Sequence, residues 1–169
     1  MPKSVTATTT RKVASKGNVG LYARYVEAWG RINRSIEQEF HFEAIAITES
    51  IMSNRLKSYL YGVGVLTASE ANGKPYLSFR SLIDKLKAYS CDDGASLELA
   101  DELDGWRGRR NSAIHAIAQS FPGQPPNKDL ATFLDGAKAT ALDGKTLAKK
   151  VSNWHKKKLR AAKKAAKES

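Results

Sequence analysis

Neither glycine nor proline occurs from Arg31 to Tyr61. An unbroken stretch of that length, with apolar residues at helical spacing, has helix as its regular solution. Leu21, Tyr25, Trp29, Ile32, Ile36 and Phe40 form one apolar stripe, opposite Arg24, Glu27, Arg31 and Arg34. Phe42, Ile45, Glu49, Met52, Leu56 and Tyr59 form a second stripe. This pattern predicts either one long bent helix or two helices with a tight join near His41. Gly62 and Gly64 stop the run.

The rest of the chain repeats the theme in shorter units. Asn72-Gly73-Lys74-Pro75 reads as a turn. Ser78 is placed to cap a short helix whose inner face carries Phe79, Leu82, Ile83, Leu86 and Tyr89. Asp92-Asp93-Gly94 is a loop, followed by a helix with Glu98, Asp101 and Glu102 in its early turns, where the dipole favours acids. Phe121-Pro122-Gly123-Gln124-Pro125-Pro126 ends that helix. Another runs from about Lys128 to Ala141, with Leu130, Phe133, Leu134 and Ala137 facing in. After Asp143-Gly144, a last segment places Leu147, Val151 and Trp154 on one face. No segment alternates in the manner of a strand, and no repeat is present. The expected fold is all-α: an antiparallel bundle of four to five helices with disordered basic tails at both ends.

Charge divides the chain into three parts. The formal net charge is +11. Residues 1–18 carry four basic residues and no acid; residues 145–169 carry ten basic residues and one acid. Subtraction leaves 14 basic and 16 acidic residues, a net −2, for residues 19–144. The expected organisation is therefore a basic disordered tail (1–18), a helical-bundle domain (19–144) and a basic C-terminal helix or tail (145–169). The tails, not the body, are placed to hold polyanions. Lys156, Lys157, Lys158, Arg160, Lys163 and Lys164 are the RNA-binding candidates. No apolar run is long enough to span a bilayer, so no membrane partner is expected and the cytoplasm is the default location.

Several chemistries find no footing. Cys91 is the single cysteine, which rules out an internal disulfide or a Cys-x-x-Cys site. His41, His115 and His155 share no metal-ligand spacing with other ligating residues. Gly144-Lys145-Thr146 resembles the end of a phosphate loop, but the earlier glycine is replaced by Ala139 and no strand precedes it. Neither a metal nor a cofactor is expected.

Asp101–Ser120 carries the remaining chemistry. Leu99, Leu103, Trp106, Arg110, Ala113 and Ile117 share one face of a helix, and Arg110 is the charged exception on it. A guanidinium there needs a carboxylate, a phosphate or a cavity beside it. Glu49 is the matching exception on the second stripe: either the two meet across a helix–helix seam or face one cavity, or the stripe is only partly buried and Glu49 reaches solvent. Asp104, Gly108, Asn111 and His115 form a neighbouring face, and Gly108 leaves its backbone open to close approach. Without a ligand, the same residues read more plainly: Trp106 as core, His115 as a surface residue and the basic cluster as a complement to the helix dipole.

Arg110-Asn111-Ser112-Ala113-Ile114-His115 resembles the Arg-x4-His signature of the HEPN family, in which a polar residue follows the arginine. The helical bundle, the late position of the motif and the preceding Leu-Asp-Gly-Trp-Arg run are also similar to that family, over roughly residues 20–140. The resemblance implies a metal-independent ribonuclease acting as a homodimer, often a toxin or phage-defence effector, sometimes paired with an antitoxin protein. One branch of the family has a modified tyrosine two residues after the histidine; here that position is Ile117. Catalytic roles fall on Arg110, Asn111 and His115, with Glu49, Asp104, Trp106 and Gly108 in support.

The residues suit that chemistry. RNA carries its own nucleophile, and cleavage needs a proton acceptor and charge neutralisation at the phosphate. His115 can move the proton and Arg110 can grip two phosphate oxygens. Five residues apart, they point roughly 140° from each other on an ideal helix. A two-fold dimer removes the difficulty by setting Arg110 of one chain beside His115 of the other. The alternative is a non-catalytic helical dimer that binds nucleic acid or protein through its Lys-rich tail.

Overall fold

The computed structural model describes residues 18–118 and 130–168. Among them are six helices and no strand: α1 (Asn18–Glu37), α2 (His41–Gly62), α3 (Ala68–Ala71), α4 (Phe79–Tyr89), α5 (Gly94–Ala118) and α6 (Leu130–Glu168). The all-α bundle is as expected. The segment 1–17, the start of the helix expected from Lys128, and the Pro-rich run lie outside the described residues.

The unbroken run resolves into two helices. The chain turns at Glu39, whose φ of 62° is left-handed. The Phe40 amide bonds back to the Ser35 carbonyl at 2.7 Å. The second stripe then buries Ile45, Met52, Leu56 and Tyr59. Ser78 caps α4 by accepting the Ser81 amide at 3.1 Å, and Phe79, Leu82, Ile83 and Leu86 are buried beneath it. Tyr89 is exposed instead, leaning on Tyr59 at 6.2 Å between ring centroids.

Three expectations are corrected. First, Asp143-Gly144 does not break the chain: α6 runs 39 residues through it. Trp106 of α5 lies so close that a Cβ on Gly144 would be 2.9 Å from its indole. Gly144 is thus a packing glycine inside a helix, not a turn residue. The division at 144/145 falls within one helix. Second, of the two states expected for the C-terminal segment, helix or disordered tail, the structure has the helix, through Glu168. Val151, Ser152 and His155 are buried, which holds α6 in the bundle well beyond residue 145, and alanine and lysine carry the helix on to Glu168. Third, the bundle is not wholly antiparallel. Phe42 stacks on Phe133, and Ser58 meets His155, so α2 and α6 run parallel. The pairs α4/α5 and α5/α6 are antiparallel, as Phe79–Trp106 with Lys87–Asp101, and Trp106–Thr140 with Trp154–Ser96, require. At the start of α6, Ala137 is buried as expected but Leu130 and Leu134 face outward.

Candidate functional site

α5 carries the site, and Trp106 anchors it. Its ring is fully buried, its Nε1 donates to the Thr140 carbonyl at 3.0 Å, and it meets Phe79 edge-on at 6.1 Å. Trp106 therefore contributes by fixing α5 against α4 and α6, and no part of it reaches solvent.

One turn later, Arg110 leaves the apolar face to reach α2. Its Nη2 forms an ion pair with Glu49 Oε2, and each side chain is only 20% exposed. Its Nη1 donates to Asn111 Oδ1 at 2.7 Å. Its Nε is buried with no hydrogen-bond partner among the described residues. The guanidinium fork is therefore fixed at two nitrogens with donors left over. Glu49 meets Arg110 across the α2–α5 seam, the first of the arrangements open to two charged residues on apolar stripes.

The other predicted residues are not gathered there. Asp104 accepts from Arg107 Nε at 2.9 Å and lies 3.8 Å from Lys87. The Arg107 hydrogen bond, aided by Lys87, holds its carboxyl below the usual aspartate range. Asp104 thus ties α5 to α4 and does not orient His115. Gly108 is exposed, and a Cβ built on it would meet nothing within 4 Å. His115 is exposed with no side-chain partner among the described residues. By helical geometry its ring points roughly 140° away from Arg110. One chain therefore presents a sheltered guanidinium and an open imidazole on different sides of α5. Ile117 has no described side chain.

The competing Arg34–His41 spacing is not a site. Arg34 pairs with Glu27 at 3.1 Å on the surface, whereas His41 is 5% exposed, with Nδ1 unpartnered among the described residues. His155 is buried against Ser58 Oγ at 3.1 Å. Burial, and secondarily the Arg55 charge, push its pKa down. Among the described residues no three ligating side chains cluster as a metal site would need, and no helix is long and apolar enough to cross a membrane.

Sequence reasoning missed a groove of about 600 Å³ between α5 and α6, lined by Asp101, Glu102, Arg109, Asp143 and Lys150 among others. Ion pairs Arg109–Asp143 and Lys150–Glu102 cross it, and Asp101 pairs with Lys87 of α4. No local spacing signals these pairs, because each joins residues far apart in sequence.

Of the RNA-binding candidates, Lys156, Lys157 and Arg160 are exposed and unpaired among the described residues. Lys164 is exposed and lies 3.8 Å from Glu168. Lys158 is half-buried and paired with Asp93. The Lys163 side chain is outside the described residues. No family model, no curated protein and no solved structure matches the chain.

Proposed function

We propose that the chain is a metal-independent endoribonuclease of HEPN type, a homodimer acting as a toxin or phage-defence effector, with an antitoxin protein as a further candidate partner. The observation that supports this reading is the state of Arg110. Its guanidinium is aimed by Glu49 and Asn111 yet keeps unused donors, and it shares a helix with an exposed, unpartnered His115. Preset donors cost little reorganisation when a phosphate arrives.

In the proposed reaction His115 takes the 2′-OH proton, and the 2′-oxygen attacks the adjacent phosphorus. The bond to the 5′-oxygen breaks, and that oxygen leaves with a proton drawn from the imidazolium. The products are a 2′,3′-cyclic phosphate and a 5′-hydroxyl. Arg110 faces the charge that builds on the phosphate oxygens. The bare backbone at Gly108 allows two copies of α5 to approach and set Arg110 of one beside His115 of the other.

A second reading has its own support. The Glu49–Arg110 pair satisfies both charges with no ligand, so it can serve as a pin between α2 and α5 in a non-catalytic dimer that binds through α6. Incubation of single-stranded RNA with the purified protein in EDTA separates the two. A cyclic phosphate product that disappears with His115→Ala supports the nuclease; an intact RNA supports the pin.

A further inference from the structure

We propose that the polyanion-binding surface is a basic stripe along more than half of α6, from Lys138 to Arg160, and that it holds single-stranded RNA along its phosphates. The surface is not confined to the C-terminal segment. The inference rests on the proposed function only in taking RNA as the polyanion.

The continuity of α6 creates the stripe. Lys138, Lys145, Lys149, Lys156 and Arg160 are separated by seven, four, seven and four residues. At 100° per residue they fall within an arc of about 60°, spread over about 33 Å of helix. The phase holds only because α6 passes through Gly144 without a break. Lys138, Lys149, Lys156 and Arg160 are exposed, and Lys145 is half-exposed.

Charge pairing on α6 differs between the stripe and the flank that faces α5. Lys150 and Lys158, on the flank that faces α5, are held by Glu102 and Asp93. The five cations of the outward stripe have no ion pair among the described residues. The acids of α6 stand off it: Asp135 precedes it, Asp143 turns to Arg109, and Glu168 follows it. Aligned cations with no neutralising partner concentrate counterions, whose release drives binding to a phosphate chain.

Trp106 bonds to Thr140, and α5 runs antiparallel to α6, so the Lys138 end lies level along the bundle axis with the α5 turn that carries Arg110. At 100° per residue, Lys138 points about 160° away from Thr140, so the stripe occupies the face of α6 turned away from α5.

The test measures binding, apart from cleavage, in the full-length His115→Ala protein with a single-stranded RNA oligonucleotide across a salt series. Five phosphate contacts imply a slope of about −3.5 in log K against log salt, or about a hundred-fold loss between 50 and 200 mM. Lys138→Gln/Lys145→Gln/Lys149→Gln, all outside the C-terminal segment's cluster of lysines, is expected to reduce that loss to about seven-fold. Lys57→Gln/Lys74→Gln/Arg80→Gln removes the same charge elsewhere and is expected to leave the slope unchanged. Melting curves confirm that each triple variant is folded. The proposal is overturned if the α6 triple keeps the parent slope, if the control triple flattens it equally, or if anionic vesicles bind the stripe and RNA does not. A stripe-dependent slope without cleavage by wild type would sink the nuclease and leave the stripe standing; cleavage with an unchanged slope would do the reverse.

Discussion

Glu49 of α2 and Arg110 of α5 form a half-buried ion pair between helices that are separated by α3 and α4 in sequence. Removing one partner leaves the other charge poorly solvated, which costs about 1–3 kcal/mol or more. Glu49→Ala and Arg110→Ala are each expected to destabilise the protein by about that amount. In a double-mutant cycle read by urea denaturation, the double variant should lose clearly less than the sum. Additive losses would mean that the pair is not coupled.

His115 differs because it is exposed and unpartnered among the described residues. His115→Ala should leave the thermal midpoint within about a degree or two, as surface substitutions do. If the proposed chemistry holds, it should also lower RNA cleavage about a hundred- to ten-thousand-fold. Full activity in the folded variant would remove His115 from the mechanism. His41→Ala and His155→Ala are unsuitable as silent controls, because both rings are buried and both truncations should lower stability.

Two glycines on facing helices should respond in opposite ways. Gly144→Ala drives a methyl group to 2.9 Å from the Trp106 ring. Overpacking of that kind costs about 1–3 kcal/mol, against about 1 kcal/mol gained in helix propensity. A lower melting temperature is expected. Gly108→Ala meets open space and should raise monomer stability by up to about 1 kcal/mol. Gly108→Leu, if α5 is the dimer seam, should lower the association constant measured by light scattering at micromolar concentration. A wild-type monomer under those conditions would count against the composite site.

His155 makes stability depend on pH in a known direction. Its folded pKa lies below its ordinary value, first because of burial and then because of Arg55. The unfolded chain takes up the proton first as pH falls through about 6.5. Its contribution is therefore fully present above that pH and is lost on acidification towards the folded value. The urea midpoint of wild type should fall between pH 8 and pH 5.5, and His155→Gln should show a smaller fall. Equal falls would exclude His155 as the cause.

Much of this protein is written in local pattern. Helical periodicity and missing breakers place the elements, and the Ser78 cap needs only a hydroxyl three residues from a free amide. The Glu49–Arg110 contact is legible as one of two outcomes, since a charge on an apolar stripe either finds a partner or reaches solvent, and the structure supplies the partner. Other features belong to tertiary structure because their causes are distant in sequence. Gly144 reads as a stop until the Trp106 indole, 38 residues earlier, occupies the space of its missing side chain. α6 runs on through that glycine. The unbroken helix then brings Lys138 and Lys145 into phase with Lys156 and Arg160. Composition assigns the positive charge to the chain's ends; helical phase, fixed by packing, spreads it along one face of the bundle. The burial of His155 and the parallel course of α2 and α6 have the same origin, since a residue's own neighbours cannot specify which helix will cover it.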